Sequence, residues 1–117
     1  MAEVTSAAYQ DLRDYIQDNW KWIELRDGED AAILRVDPAD ERVEWSHEAQ
    51  AQVLELTITV KGPNAEITPP QAFASSAIFK AAEGGNAFSV ETFTSFTIET
   101  NEDELTVKHQ IEVPQVT

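Results

Sequence analysis

The sequence contains no cysteine, which excludes disulfide bonds, thiolate metal sites and cysteine nucleophiles. It also lacks any apolar run near the roughly 20 residues of a membrane-spanning helix, so no membrane partner is expected. The N-terminal segment MAEVTSAAYQDLRDY carries Glu3 and has no apolar region typical of a secretory signal. We therefore expect a cytoplasmic location in the producing cell.

Basic residues are scarce, with 8 Lys and Arg against 22 Asp and Glu and a formal charge of −14. Binding to nucleic acid or anionic membranes needs basic side chains that displace counterions, so both are excluded as partners. Three interpretations of the acidity stay open. It keeps the chain in solution, it adapts the chain to high salt, or it mimics nucleic acid towards a basic protein.

The length of 117 residues and the apolar share of 42% predict one globular domain, residues 1–117, with its own core. A helix is expected from the capping residue Thr5 or Ser6 to Asn19. Its predicted buried stripe is Ala8, Leu12 and Ile16, flanked by Tyr9 and Tyr15.

Strands are predicted at about 20–26 and 31–36 around a turn at Asp27-Gly28, and then in RVEWSH and AQVLELTITVK, which should pair antiparallel. The segment ITPPQAFASSAIFKAAEGG is expected to form a second helix, capped by Thr68 and closed by Gly84 or Gly85. Two C-terminal strands follow, with a bulge around Thr92–Ser95 and a final alternating strand, LTVKHQIEV.

The predicted order is α-β-β-β-β-α-β-β. Alternation in most strands is typical of an antiparallel sheet with one covered face. We therefore expect an α+β fold in which two helices pack on one face of a sheet of about six strands.

No phosphate-binding loop, nucleophile elbow or zinc-protease motif occurs in the sequence. His47 and His109 share strand faces with large apolar residues, among them Trp45, so these three residues are the candidates for lining a pocket. If their strands were neighbours, the histidines could bind a metal or act as acid and base. The pattern favours rings at the edge of the core instead.

Three acidic clusters, at 27–30, 37–41 and 102–104, lack the spacing of a calcium-binding loop and fall at predicted turns. No metal, cofactor or catalytic residue is therefore assigned. Trp20 and Trp22 are expected to share one face of a strand that is apolar on both sides. They are the candidate interface residues, since exposed aromatic clusters mark protein contacts.

The helix AAYQDLRDYIQDNW, the hairpin strands and the final hairpin SFTIETNEDELTVKHQIEVP resemble small tail or head–tail joining proteins of bacteriophages and prophages. The resemblance covers length, element order and sequence style, without a diagnostic motif. It implies a non-enzymatic assembly role, with partners that are further copies of the chain or another assembly protein, and a place in a virion. The alternatives are a small-molecule-binding domain or enzyme with a pocket between helices and sheet near His47 and His109, and an acidic nucleic-acid mimic.

Overall fold

The computed structural model describes residues 2–37, 39–49, 51–63 and 67–113. Within these ranges the chain is α+β, with one helix followed by seven strands that all pair antiparallel. The elements are α1 (Ser6–Asn19), β1 (Trp22–Arg26), β2 (Ala32–Val36), β3 (Val43–Trp45), β4 (Val53–Lys61), β5 (Gln71–Phe79), β6 (Ser89–Ile98) and β7 (Glu104–Glu112).

The strands form two sheets rather than the predicted single sheet of about six strands. One sheet has the order β2-β1-β5-β6 and the other the order β3-β4-β7. Their apolar faces meet in one core, which contains Ile23 and Ile78 from the first sheet and Leu56 and Val107 from the second. The second sheet turns a polar face outward, because buried residues alternate with partly exposed ones in β4 and with exposed ones in β7.

The predicted strands in the first half of the chain are confirmed, and so is the pairing of β3 with β4. The turn at Asp27-Gly28 is longer than a two-residue turn: Asp27 N–H donates to Ala31 O (3.0 Å), and Asp30 adopts a φ of 63°. The predicted bulge in β6 is also present. Phe73 pairs with Phe96 but Ser75 pairs with Thr92, so β6 contains extra residues between Thr92 and Phe96.

The predicted second helix is wrong, because Gln71–Phe79 is the strand β5 at the centre of the first sheet, between β1 and β6. Residues 75–79 of β5 are all buried. The sequence of a central strand that is covered on both faces is a continuous run of apolar and small residues. Such a run lacks the alternation that separates a strand from a buried helix.

Helix α1 begins as predicted, with Thr5 Oγ1 accepting a hydrogen bond from Ala8 N–H (3.3 Å). Its buried face is Tyr9, Arg13 and Ile16, whereas Leu12, which was predicted to be buried, is exposed. The helix contacts the β3–β4 connection through Gln17 and His47, and the β5–β6 connection through Tyr15 and Lys80. No helix in the described ranges is long and apolar enough to cross a bilayer.

Candidate functional site

His109 lies on the inner face of β7, fully buried between the two sheets. Its Nδ1 is 2.7 Å from Ser76 Oγ on β5, and its Nε2 is 2.8 Å from Ser89 Oγ on β6. Burial lowers the pKa of His109 from 6.5 to about 4, because the charged ring would lose its hydration. The ring is therefore neutral near pH 7, and both of its nitrogens are occupied by serines of the opposite sheet.

His47 and Trp45 lie elsewhere, at the end of β3 facing α1. The two rings meet edge to face, with centroids 5.5 Å apart. His47 Nδ1 accepts a hydrogen bond from Glu55 N–H (3.1 Å), which leaves Nε2 to donate to Gln17 Oε1 on α1 (3.0 Å). Trp45 and His47 line a cavity of about 470 Å³ between α1 and the β3–β4 connection.

The structure does not bring the two histidines together. Strand β4 lies between β3 and β7, so their strands are not neighbours. His109 does not line the cavity beside His47, because its ring points between the sheets. The predicted pocket candidates therefore separate into Trp45 and His47 at the cavity and His109 in the core.

The acidic clusters at the turns bind the backbone of their own turns. Asp27 Oδ1 accepts from Glu29 N–H and Ala31 N–H, both at 2.9 Å. Asp103 Oδ2 accepts from Glu99 N–H (2.7 Å) and Thr100 N–H (3.1 Å). In the parts of the chain that the structure describes, no three Asp, Glu, Cys or His side chains are placed to hold a metal ion.

The candidate interface residues Trp20 and Trp22 do not share a strand face. Trp20 is the C-cap residue of α1, Trp22 begins β1 opposite Phe79, and both side chains are half-buried. The Trp20 ring packs edge to face against Phe88, with centroids 5.3 Å apart. Its buried Nε1–H has no hydrogen-bond partner among the described residues.

Trp20 belongs to a group of side chains, here called the aromatic patch: Tyr15, Trp20, Lys80 and Phe88, which contact one another, and Val90, two residues after Phe88 in β6. Lys80 Nζ donates to Tyr15 Oη (3.0 Å) and lies 5.4 Å from the Tyr15 ring centroid and 5.7 Å from that of Phe88. The exposed fractions of Tyr15, Phe88 and Val90 are 50%, 46% and 53%. Tyr, Trp and Phe are enriched at the centres of protein interfaces.

The aromatic patch adjoins the least protected sheet edge in the described chain. Exposed edges are usually blunted by shortness, charge or bulges. Strand β3 has three residues, β2 has five and includes Arg35, and β7 is charged at Glu104, Lys108 and Glu112. Strand β6 has ten residues and one charge, Glu91, whose carboxylate accepts a hydrogen bond from Gln110 N–H on β7 (3.3 Å). Its bulge begins only after the regular stretch Ser89–Thr92.

The sequence pattern pointed to Trp20, but it did not identify Tyr15, Lys80, Phe88 or Val90 as part of one surface. Phe88 and Val90 show the two-residue spacing of a common strand face, which is the one signal available for them. Their proximity to α1 comes from the path of the helix across the end of the sheets, and no local pattern encodes it. Comparison of the chain with protein-family models, with curated proteins and with solved structures finds no match.

Proposed function

We propose that this chain is a non-enzymatic assembly protein whose aromatic patch and adjoining β6 edge bind a second copy of the chain. The observation that carries the proposal is the exposure of Tyr15, Phe88 and Val90 at the start of the least protected strand edge. A few aromatic residues, clustered and backed by a half-buried tryptophan, are typical of the energetic centre of an interface.

The sequence of the edge is compatible with pairing to itself. In an antiparallel pair of two β6 edges centred on Val90, Phe88 faces Thr92 of the second copy and Ser89 faces Glu91. Val90 meets Val90, and no two like charges lie opposite each other. A two-fold axis through Val90 would also place both aromatic patches in one interface, here called the β6 joint. This is the arrangement expected of an isologous interface.

An assembly role is what the resemblance to small phage tail and head–tail joining proteins implies, and we extend the proposal to that class and to a place in a virion. A second candidate function, binding of a small molecule, is favoured by the cavity lined by Trp45 and His47. Both proposals are compatible with one chain, because the cavity and the aromatic patch are made of different residues.

The test is the molar mass by light scattering behind gel filtration, over a concentration series at low and high salt. We expect a discrete dimer that forms with increasing concentration. Val90→Lys should abolish it, because the substitution places a charge at the centre of the joint. Val4→Lys is the matched control, since Val4 is exposed to the same extent (54%) but lies before α1 and away from β6.

A protein that stays monomeric at every concentration and both salts would refute self-assembly. Equal dissociation by Val90→Lys and Val4→Lys would show that the joint is not at β6. Trp20→Phe is a second test of the dimer contact, because it keeps an aromatic ring against Phe88 but removes the indole N–H. A weaker dimer with an unchanged far-UV spectrum would place that N–H in the contact.

A further inference from the structure

The cavity beside His47 is bounded on one side by a single face of α1. Gln10, Asp14 and Gln17 point into it, at the spacing of successive helical turns. Gln10 is fully engaged there: its Nε2 donates to Asp14 Oδ1 (2.9 Å), and its Oε1 accepts from Arg13 Nη2 (3.2 Å). Among the described residues nothing binds Asp14 Oδ2, so this carboxylate keeps a free acceptor at the cavity.

The opposite side of the cavity is a rigid wall of Trp45, His47 and Leu54. The His47 ring is held at both nitrogens, by Glu55 N–H on β4 and by Gln17 on α1. These two contacts hold the plane of the imidazole ring at the cavity wall. Trp45 packs edge to face against this ring, with an angle of 78° between the two planes, and lines the same cavity.

The charged side chains of α1, which forms one wall of the cavity, are three aspartates and one arginine. Asp11, Asp14 and Asp18 follow one another at spacings of three and four residues along α1, where like charges repel. The last turn of the helix contains no basic residue, so its negative dipole end is uncompensated. Arg13, the basic residue of α1, is 5% exposed, and its Nη2 donates to the cavity-lining Gln10, so one buried positive charge lies beside these aspartates.

We infer that this cavity binds a small organic cation of the guanidinium or alkylammonium class, with its charge on Asp14 and its apolar part against Trp45 and Leu54. A volume of about 470 Å³ is within the range of small-molecule sites. The carboxylate provides a charge-assisted hydrogen bond, and the indole face attracts cations. Neutralising Asp14 also relieves its repulsion with Asp11 and Asp18. The site does not depend on the β6 joint.

The test is an NMR titration with n-butylguanidinium and with n-butylurea, which has nearly the same shape but no charge, at constant ionic strength. We expect n-butylguanidinium to cause saturable shifts at the Gln17 side-chain amide and the Trp45 indole N–H. n-Butylurea should cause much smaller ones. In Asp14→Asn the affinity for the guanidinium should fall by about tenfold or more, because the charge-assisted bond is lost.

Asp18→Asn is the matched control, because it removes the same charge from the same helix at a residue that does not line the cavity. It should change the affinity by less than about twofold, since exposed charges are screened. Equal shifts with n-butylurea, equal losses in the two variants, or shifts that do not saturate would each overturn the inference. Far-UV spectra of both variants verify that α1 is intact.

Discussion

His109 connects the two sheets through a neutral ring. Its Nδ1 and Nε2 reach serines on two strands of the opposite sheet, at 2.7 and 2.8 Å. Serine hydroxyls can donate or accept, so the bonds themselves do not oppose protonation, and the low pKa arises from burial alone. A folded-state pKa below the unfolded value means that the neutral ring is the form favoured by folding.

The free energy of unfolding should therefore depend on pH through His109. Above pH 6.5 the ring is neutral in both states and stability is fully present. As the pH falls from 6.5 to about 4, the unfolded chain binds a proton that the folded chain does not, and stability decreases. The loss amounts to about 3 kcal/mol, at about 1.4 kcal/mol per pH unit. Urea unfolding at a series of pH values measures it.

His109→Gln is the matched variant, because glutamine does not titrate but can still bind both serines. The difference between the two pH curves removes the contribution of every other titratable group, because both proteins share them. The wild-type curve should fall more steeply between pH 6.5 and 4. Parallel curves would mean that His109 is not protected from protonation.

Sequence reasoning located His109 correctly on the apolar face of an alternating strand. It could not provide the serine partners. Ser76 lies in the segment expected to be a helix, and Ser89 lies on β6, next to the strand of Ser76 in the first sheet. Both serines are distant in sequence from His109. Local pattern determines which way a side chain points but not what lies opposite it.

At the scale of elements, the β5–β6 connection is held against the first sheet by one arginine. Arg35 Nη1 on β2 donates to Ala81 O (3.0 Å) and Gly84 O (2.9 Å). Its guanidinium also pairs with buried Glu24 and stacks 3.5 Å from the Phe79 ring centroid. This connection carries Lys80 and leads into Phe88, so Arg35 positions part of the aromatic patch.

Arg35→Lys should release the connection, because an ammonium group cannot reach Glu24 and two carbonyls at once. We expect the free energy of unfolding to fall by about 2 kcal/mol. Amide hydrogen exchange in residues 81–88 should accelerate. Arg26→Lys is the control, because Arg26 also pairs with Glu24 but makes no carbonyl bond. Unchanged exchange in Arg35→Lys would show that the arginine does not hold the connection.

The close approach of β4 to the β6–β7 turn depends on Gly62. A Cβ at this position would meet Thr100 O and would lie 2.7 Å from Asn101 Cα, and both obstacles are backbone atoms. Gly62→Ala should therefore destabilise the protein by about 1–3 kcal/mol, through overpacking. Gly28→Ala, at a site with nothing within 4 Å, should change stability by less than about 0.5 kcal/mol. Thermal unfolding of both variants compares them, and equal effects would contradict the assignment.

The sequence predicted the elements with clean alternation, such as β4 and β7, and the bulge in β6. It failed at β5, because a strand buried on both faces loses its two-residue period. It also failed for the sheets, since strand order depends on pairings such as that of Ile23 with Ile78, far apart in the chain. The buried face of α1 was misjudged because Arg13 is buried in place of Leu12.

At the scale of the whole molecule, the arginine side chains bind polar and acidic groups of their own chain. Arg13 binds Gln10, Arg26 and Arg35 bind Glu24, and Arg42 binds Asp40 and lowers the pKa of that carboxyl to about 2 by hydrogen bonding. Among the described residues, most carboxylates form no ion pair with an arginine. Two copies that approach each other repel through this charge, and only the local contact attracts them.

Self-association should accordingly strengthen with salt. Raising the ionic strength from 0.1 to 1 M shortens the Debye length from about 10 to about 3 Å and screens the repulsion. The dimer dissociation constant from analytical ultracentrifugation should fall across this range. A mimic of nucleic acid would behave in the opposite way, because its binding to a basic protein weakens with salt. A salt series with a dimer that weakens would contradict the proposed joint.

The regular part of the β6 edge ends at Thr92, where the bulge begins. The proposed pairing with a second copy would use the same short stretch on both chains. Once two subunits have joined about Val90, neither has an equivalent strand left to offer. Among the described strands the remaining edges are short or charged, so a third chain would find no template. The proposed two-fold pairing would therefore give a closed pair and not an open-ended fibre.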